Sequence, residues 1–186
     1  MRQAKQVEQA YRDLLQAKGS PIKEKSVVLV AVKWAKATND LALAQGLLKL
    51  STTDALKDVL GYTKDTTFFD WAIVSSYYSI FHATQALLGL KNVKIQSRLH
   101  YATLIAFTKH FIVNNHLKEE LFLIYEDAEK KARELLDIIE EEKQKRGMFQ
   151  YHRLSKNNFG PAQESVRNAQ VFLEAIQEVL GKHNVI

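Results

Sequence analysis

A chain of 186 residues, 46% hydrophobic and 25% charged, is long enough to fill one core, and its 2 prolines and 7 glycines leave little room for the turns of a many-stranded sheet. The absence of cysteine excludes a disulfide framework, a thiol nucleophile and a thiolate metal site, and fits a reducing, cytoplasmic setting. The formal net charge of +5, from 26 basic and 21 acidic residues, does not by itself demand a polyanionic partner.

The opening MRQAKQVEQAYRDLLQAKG has no apolar core of the signal-peptide kind. It places Val7, Ala10, Tyr11, Leu14 and Leu15 at helical spacing, and GSP at Gly19 to Pro21 stops it. An amphipathic N-terminal helical extension over residues 1–20 is expected. The run VVLVAV, Val27 to Val32, is too short to span a bilayer, so no membrane partner is expected. From Ser26 to Leu50 a β-branched start gives way to Trp34, Leu41, Ala44, Leu47 and Leu48 at helical period, which predicts one helix. STTDALKDVLGY then offers a hydroxyl cap, an acidic first turn and Gly61 as terminator of a short helix.

Phe68 to Leu90 is apolar around most of its circumference, as in the central rod of a bundle, with Ser75, Ser79 and His82 as its polar stripe. Ser97 can cap a helix reaching Val113, and Asn114 to His116 read as a turn. Leu117 to Lys145 draws one apolar stripe through Leu121, Ile124, Tyr125, Ala128, Ala132, Leu135, Leu136 and Ile139, and Gly147 ends it. A last helix runs from Pro161 to Leu180 with Val166, Ala169, Phe172, Leu173, Ile176 and Val179 on one face, closed by Gly181. The expectation is a single all-α domain over 1–186, an antiparallel bundle of four to five main helices with the N-terminal helix added.

No glycine-rich phosphate loop, HExxH, GxSxG or calcium-loop pattern occurs. The six histidines show neither an i, i+4 pair nor a Glu-x-x-His signature, so neither a metal nor another cofactor is expected. Charge does concentrate in one place. Lys143, Lys145, Arg146, Arg153 and Lys156 follow one another without an acidic residue, and Phe149, Tyr151 and His152 lie among them. Cations there can neutralise phosphates and rings can stack on unpaired bases, although a solvated basic turn has the same composition. On one straight helix Arg146 and His152 would stand roughly 120° apart, so their convergence requires the helix to break, and Gly147 permits that. A guanidinium and an imidazole could then face one phosphate, as fixed cation and proton acceptor.

Taken in order, WAIVSSYYSIFHATQALLGL, SRLHYATLIAFTKHFI, the long charged helix ending in KRGMFQYHR, and SVRNAQVFLEAIQEVL resemble the HEPN family of small helical domains, over about residues 33–180. The most specific elements are Tyr77 and Tyr78 followed by Phe81, His82 and Ala83, and then Arg146 before Tyr151. The resemblance implies a four- or five-helix bundle, often a homodimer. In many members it implies a metal-independent endoribonuclease toxin paired with a nucleotidyltransferase-like antitoxin. It assigns Arg146 to the developing phosphorane and His152 to the RNA 2′-hydroxyl, with Lys143, Lys145, Tyr151, Arg153 and Lys156 binding RNA. Gly147 stands where active members carry a polar residue, and Gln150 precedes Tyr151 where another branch has an acidic one. A non-catalytic module that docks such a partner or its own copy is the alternative. A third reading places a small nucleotide on Tyr78, Ser79, His82, Arg98 and His100.

Overall fold

The computed structural model describes residues 2–26, 28–97, 99–113, 117, 119–144 and 158–183, with side chains from Lys5 and, in the long sixth helix, as far as Lys131. The described residues form seven α-helices and one two-stranded ribbon. These are α1 (Arg2–Gln16), β1 (Ile22–Lys23), α2 (Val30–Thr52), α3 (Asp54–Val59), α4 (Phe69–Gly89), β2 (Lys94–Ile95), α5 (Leu99–Phe107), α6 (Glu119–Gln144) and α7 (Phe159–Lys182). The all-α expectation holds, with the four long helices α2, α4, α6 and α7 as its frame.

α4 is the rod around which the others are laid. It is buried on nearly every side, as its unbroken apolar sequence requires, and α2, α6 and α7 all pack on it. Among the described residues the α2–α4 contact is the most extensive, because both helices present small residues to it. Ala37, Ala44, Ala72, Ser76, Ser79 and Ala83 are fully buried, so the two backbones approach closely. Ser76 and Thr84 return their hydroxyls to carbonyls one turn back, at 2.8 and 2.9 Å, so neither leaves a polar atom bare. Part of the buried core is aromatic, with Phe107, Tyr125 and Phe172 stacked or tilted at centroid distances of about 6 Å.

Several boundaries differ from the sequence reading. Val28 and Leu29 lie outside α2, and two extended residues at 22–23 pair with 94–95, Ile22 facing Ile95 and Lys23 facing Lys94. Thr53 occupies the cap position of α3 but makes no side-chain capping bond. Instead Lys57, almost wholly buried, donates to the Lys64 carbonyl at 2.6 Å and pins the loop that follows. Gly61 has φ +74°, a left-handed backbone that glycine adopts without strain. α7 continues past Gly181 to Lys182. The helix expected to run from Ser97 to Val113 changes pitch at Thr108, where a π-helical turn, Thr108–Ile112, replaces the α geometry. The turn expected at Asn114 to His116 lies outside the described residues.

That π turn, with α5 and the chain around Glu24, fastens the N-terminal helix. Widening the turn keeps Phe111 in the core and presents His110 to α1. Tyr11, fully buried, donates its hydroxyl to Glu24 Oε1 at 3.0 Å and lies 3.0 Å from His110 Nε2. Lys109 sits 3.7 Å over the Tyr11 ring and 3.5 Å from Glu8 Oε2. The extension is therefore part of the folded unit. Burial, then the neighbouring Lys109 ammonium, hold the His110 pKa below its ordinary value, with Glu24 and Glu8 opposing.

Because the folded protein favours neutral His110, its contribution to stability is complete above about pH 6.5 and is lost as pH falls through that value toward the lowered one. Thermal unfolding followed by circular dichroism is expected to show a lower midpoint at pH 5.5 than at pH 7.5, with a smaller difference in His110→Gln. Tyr11→Phe, which removes the hydroxyl shared by α1, Glu24 and His110, is expected to cost about 1 kcal/mol.

Candidate functional site

The polar stripe of α4 is divided between two neighbours. Toward α2, Ser79 is fully buried and donates to the Ala37 carbonyl at 2.8 Å, so its hydroxyl serves the helix seam. One turn on, His82 Nδ1 lies 2.7 Å from Asp40 Oδ2, in a pair whose side chains are 19% and 28% exposed. Toward α5, the buried Tyr77 hydroxyl meets His100 Nδ1. The Tyr77 ring also stands edge-on to Tyr125, at 6.4 Å between centroids. Burial, then Tyr77, push the Tyr125 phenol well above its ordinary range, so it stays protonated at any physiological pH.

Phe81 joins the two halves. Its ring lies 5.5 Å from that of His82 and 5.3 Å from that of His100, while Tyr78, half-buried, flanks both Phe81 and His82. The structure thus brings Tyr78, His82 and His100 into one partly open aromatic strip with Asp40 behind it. It excludes Ser79 from that strip's surface. Arg98 lies outside the described residues. A carboxylate on Nδ1 fixes the imidazole's tautomer and leaves Nε2 as the acceptor, the arrangement a base or a hydrogen-bonding ligand site needs. No group of three or more metal-ligating side chains occurs among the described residues.

The other set of expected residues is reached only at its borders. Lys143 belongs to the helical backbone of α6, its side chain undescribed, and Lys145, Arg146, Tyr151, His152, Arg153 and Lys156 lie outside the described residues. The described chain resumes at Asn158, whose side-chain amide bonds to Asp70 in the first turn of α4. Burial raises the Asp70 pKa, and the Asn158 bond opposes that rise. Beside it the Phe69 and Phe159 rings pack edge-on at 5.6 Å. Lys131 bridges Asp127 and Glu164 at 2.9 and 2.7 Å, tying α6 to α7.

Sequence reading missed Asp40. Nothing local marks an aspartate 42 residues before His82 as its partner, since only the antiparallel α2–α4 packing aligns them.

Over 64 residues, 34% of this chain and 42% of the other, the sequence is 38% identical to "Putative toxin MJ0142" of Methanocaldococcus jannaschii. The match thus spans under half of that relative's length. No family model matches the chain, and no solved structure does. Among the described residues no helix is long and apolar enough to cross a membrane.

The partly exposed His82–Asp40 pair is expected to add no more than about 1 kcal/mol to stability. Asp40→Asn is expected to leave the melting profile nearly unchanged while altering the His82 ring tautomer, which nitrogen-15 NMR of the imidazole reads directly.

Proposed function

We propose that this chain is a toxin-like helical protein of the HEPN type that cleaves RNA without a metal, with Arg146 and His152 as its reacting pair. The observation that carries the reading is the 38% identity over 64 residues to a protein named as a toxin. The helical bundle and the cationic run from Lys143 to Lys156 are in keeping with it.

In this reading His152 takes the proton from a ribose 2′-hydroxyl as the oxygen attacks the adjacent phosphorus. Arg146 neutralises the charge gathering on the phosphorane oxygens, and the 5′-oxygen leaves. Lys143, Lys145, Arg153 and Lys156 bind flanking phosphates while Tyr151 stacks on a base. The chain acts as a homodimer and is restrained in the cytoplasm by a nucleotidyltransferase-like antitoxin.

Purified protein incubated with mixed RNA in EDTA is expected to cut it, and Arg146→Ala and His152→Ala are each expected to slow cutting by about 100-fold or more with unchanged circular dichroism. RNA left intact by the parent chain, or cut equally by both variants, would reject the mechanism and leave a docking module. Binding to single-stranded RNA is expected to weaken log-linearly with salt. Each phosphate-binding lysine replaced by alanine is expected to reduce the slope by about 0.7.

A further inference from the structure

The outer face of α2 has no cover among the described residues. Its inner face, where Ala37, Ala44 and Ser51 are buried, packs on α4. At 100° per residue Val32, Ala35, Asn39, Ala42, Leu43 and Gly46 share an arc of about 100° on the opposite side, and all six are exposed. No charged residue falls on that arc. A surface helix ordinarily turns charged side chains to water there, whereas α2 is uncharged toward the core and away from it, the pattern of a helix covered on both faces. The exposed side chains are also large in places. Val32 and Leu43 are 48% and 53% exposed, and Leu29, at the cap position, 67%.

Charge stands at one edge of this face, and its order says what fits there. Lys36 and Asp40 lie one turn apart along that edge, with Val32 a turn before the first and Leu43 a turn after the second. Asp40 holds His82 at 2.7 Å, while Lys36 makes no ion pair among the described residues. The edge therefore runs apolar, cation, anion, apolar. Reversed and laid against itself, that order sets apolar on apolar and cation on anion, so the surface complementary to it is its own copy running the other way.

We propose that the outer face of α2 docks the same face of a second copy of this chain, antiparallel, about a twofold axis between Thr38 and Asn39. The homodimer belongs to the function proposed above, and the assignment of its interface rests on that part of the reading. In this pairing Ala35 lies level with Ala42 of the second copy, and their small side chains let the two helices approach closely. Lys36 falls within about 1.5 Å, measured along the axis, of the level of Asp40 of the second copy, and Val32 within about 3 Å of the level of Leu43. Each contact occurs twice. Sliding the copies by one turn sets Lys36 against Lys36 in one direction and Asp40 against Asp40 in the other, and a parallel pairing sets every residue against itself. Charge thus selects the register, while the apolar side chains supply the attraction. One helix face is smaller than the roughly 800 Å² that each partner gives to a standard interface, so the dimer is expected to be weak and to dissociate on dilution.

The test is sedimentation velocity of the full chain across about 1 to 500 µM, a range that brackets a weak interface. The parent is expected to pass from monomer to dimer within it. Leu43→Glu and Val32→Lys, both at exposed positions, are each expected to weaken the dimer at least about tenfold with unchanged circular dichroism. The doubly substituted chain, Val32→Lys with Leu43→Glu, is expected to recover to within about threefold of the parent, because each new lysine then lies beside a new glutamate of the other copy. Within one chain those two positions stand about 17 Å apart along α2 and cannot pair. Leu123→Glu on α6, 57% exposed and away from this face, is expected to change nothing. A dimer that survives Leu43→Glu, or that dissolves in Leu123→Glu instead, overturns the interface and leaves the homodimer standing. Failure of the double variant to recover overturns the antiparallel register. A parent still monomeric at about 500 µM overturns the homodimer and this interface together, whereas RNA cutting through Arg146 and His152 is read in its own assay.

Discussion

A helix with almost no solvent face imposes most of what is seen here. Most of α4 cannot rest in water, so α2, α6 and α7 cover it, and the side chains it carries decide how each neighbour sits. Where it offers Ala72, Ser76, Ser79 and Ala83, α2 comes close enough for Ser79 to reach the Ala37 carbonyl. Where it offers Tyr77 and Phe81, the opposing elements answer with rings. Polar groups in such a rod are tolerated only when each finds a partner, and the hydroxyls of Ser76, Ser79 and Thr84 all do. Gln85 Oε1, buried without a hydrogen-bond partner among the described residues, is the departure from that pattern on the same helix.

The two ends of α4 carry different chemistry. At its N-terminal end Asp70 receives Asn158, the first described residue after the basic run. At its C-terminal end the chain entering α2 crosses Gly89, and the lysines of α2 and β2 gather around an aliphatic pocket. Between the two, Tyr78, His82 and His100 share a half-buried strip whose imidazoles are oriented by Asp40 and Tyr77. The 38% identity to a protein named as a toxin covers 34% of the chain.

The N-terminal extension shows how a weak local preference becomes part of a fold. α1 has an apolar stripe but little else to hold it, and an isolated helix of its length is marginal in water. Its attachment depends on a change of pitch elsewhere, where the π turn at Thr108–Ile112 directs His110 toward Tyr11 while Phe111 stays inside. The result is a contact between residues 99 positions apart that responds to protonation.

Helix content, the number of long helices and the centrality of Phe69–Gly89 were written in the amino-acid sequence, because hydrophobic period and the absence of polar breaks are local properties that survive any arrangement of neighbours. The histidines were also legible as candidates, by residue type. Their partners were not: Asp40 for His82 and Tyr77 for His100 depend on how antiparallel helices align, and no spacing along the chain encodes that. The π turn, the pairing of Ile22 with Ile95 and the unanswered Gln85 amide arise in the same way, from competition among packing, backbone geometry and polar satisfaction that resolves only when the helices meet.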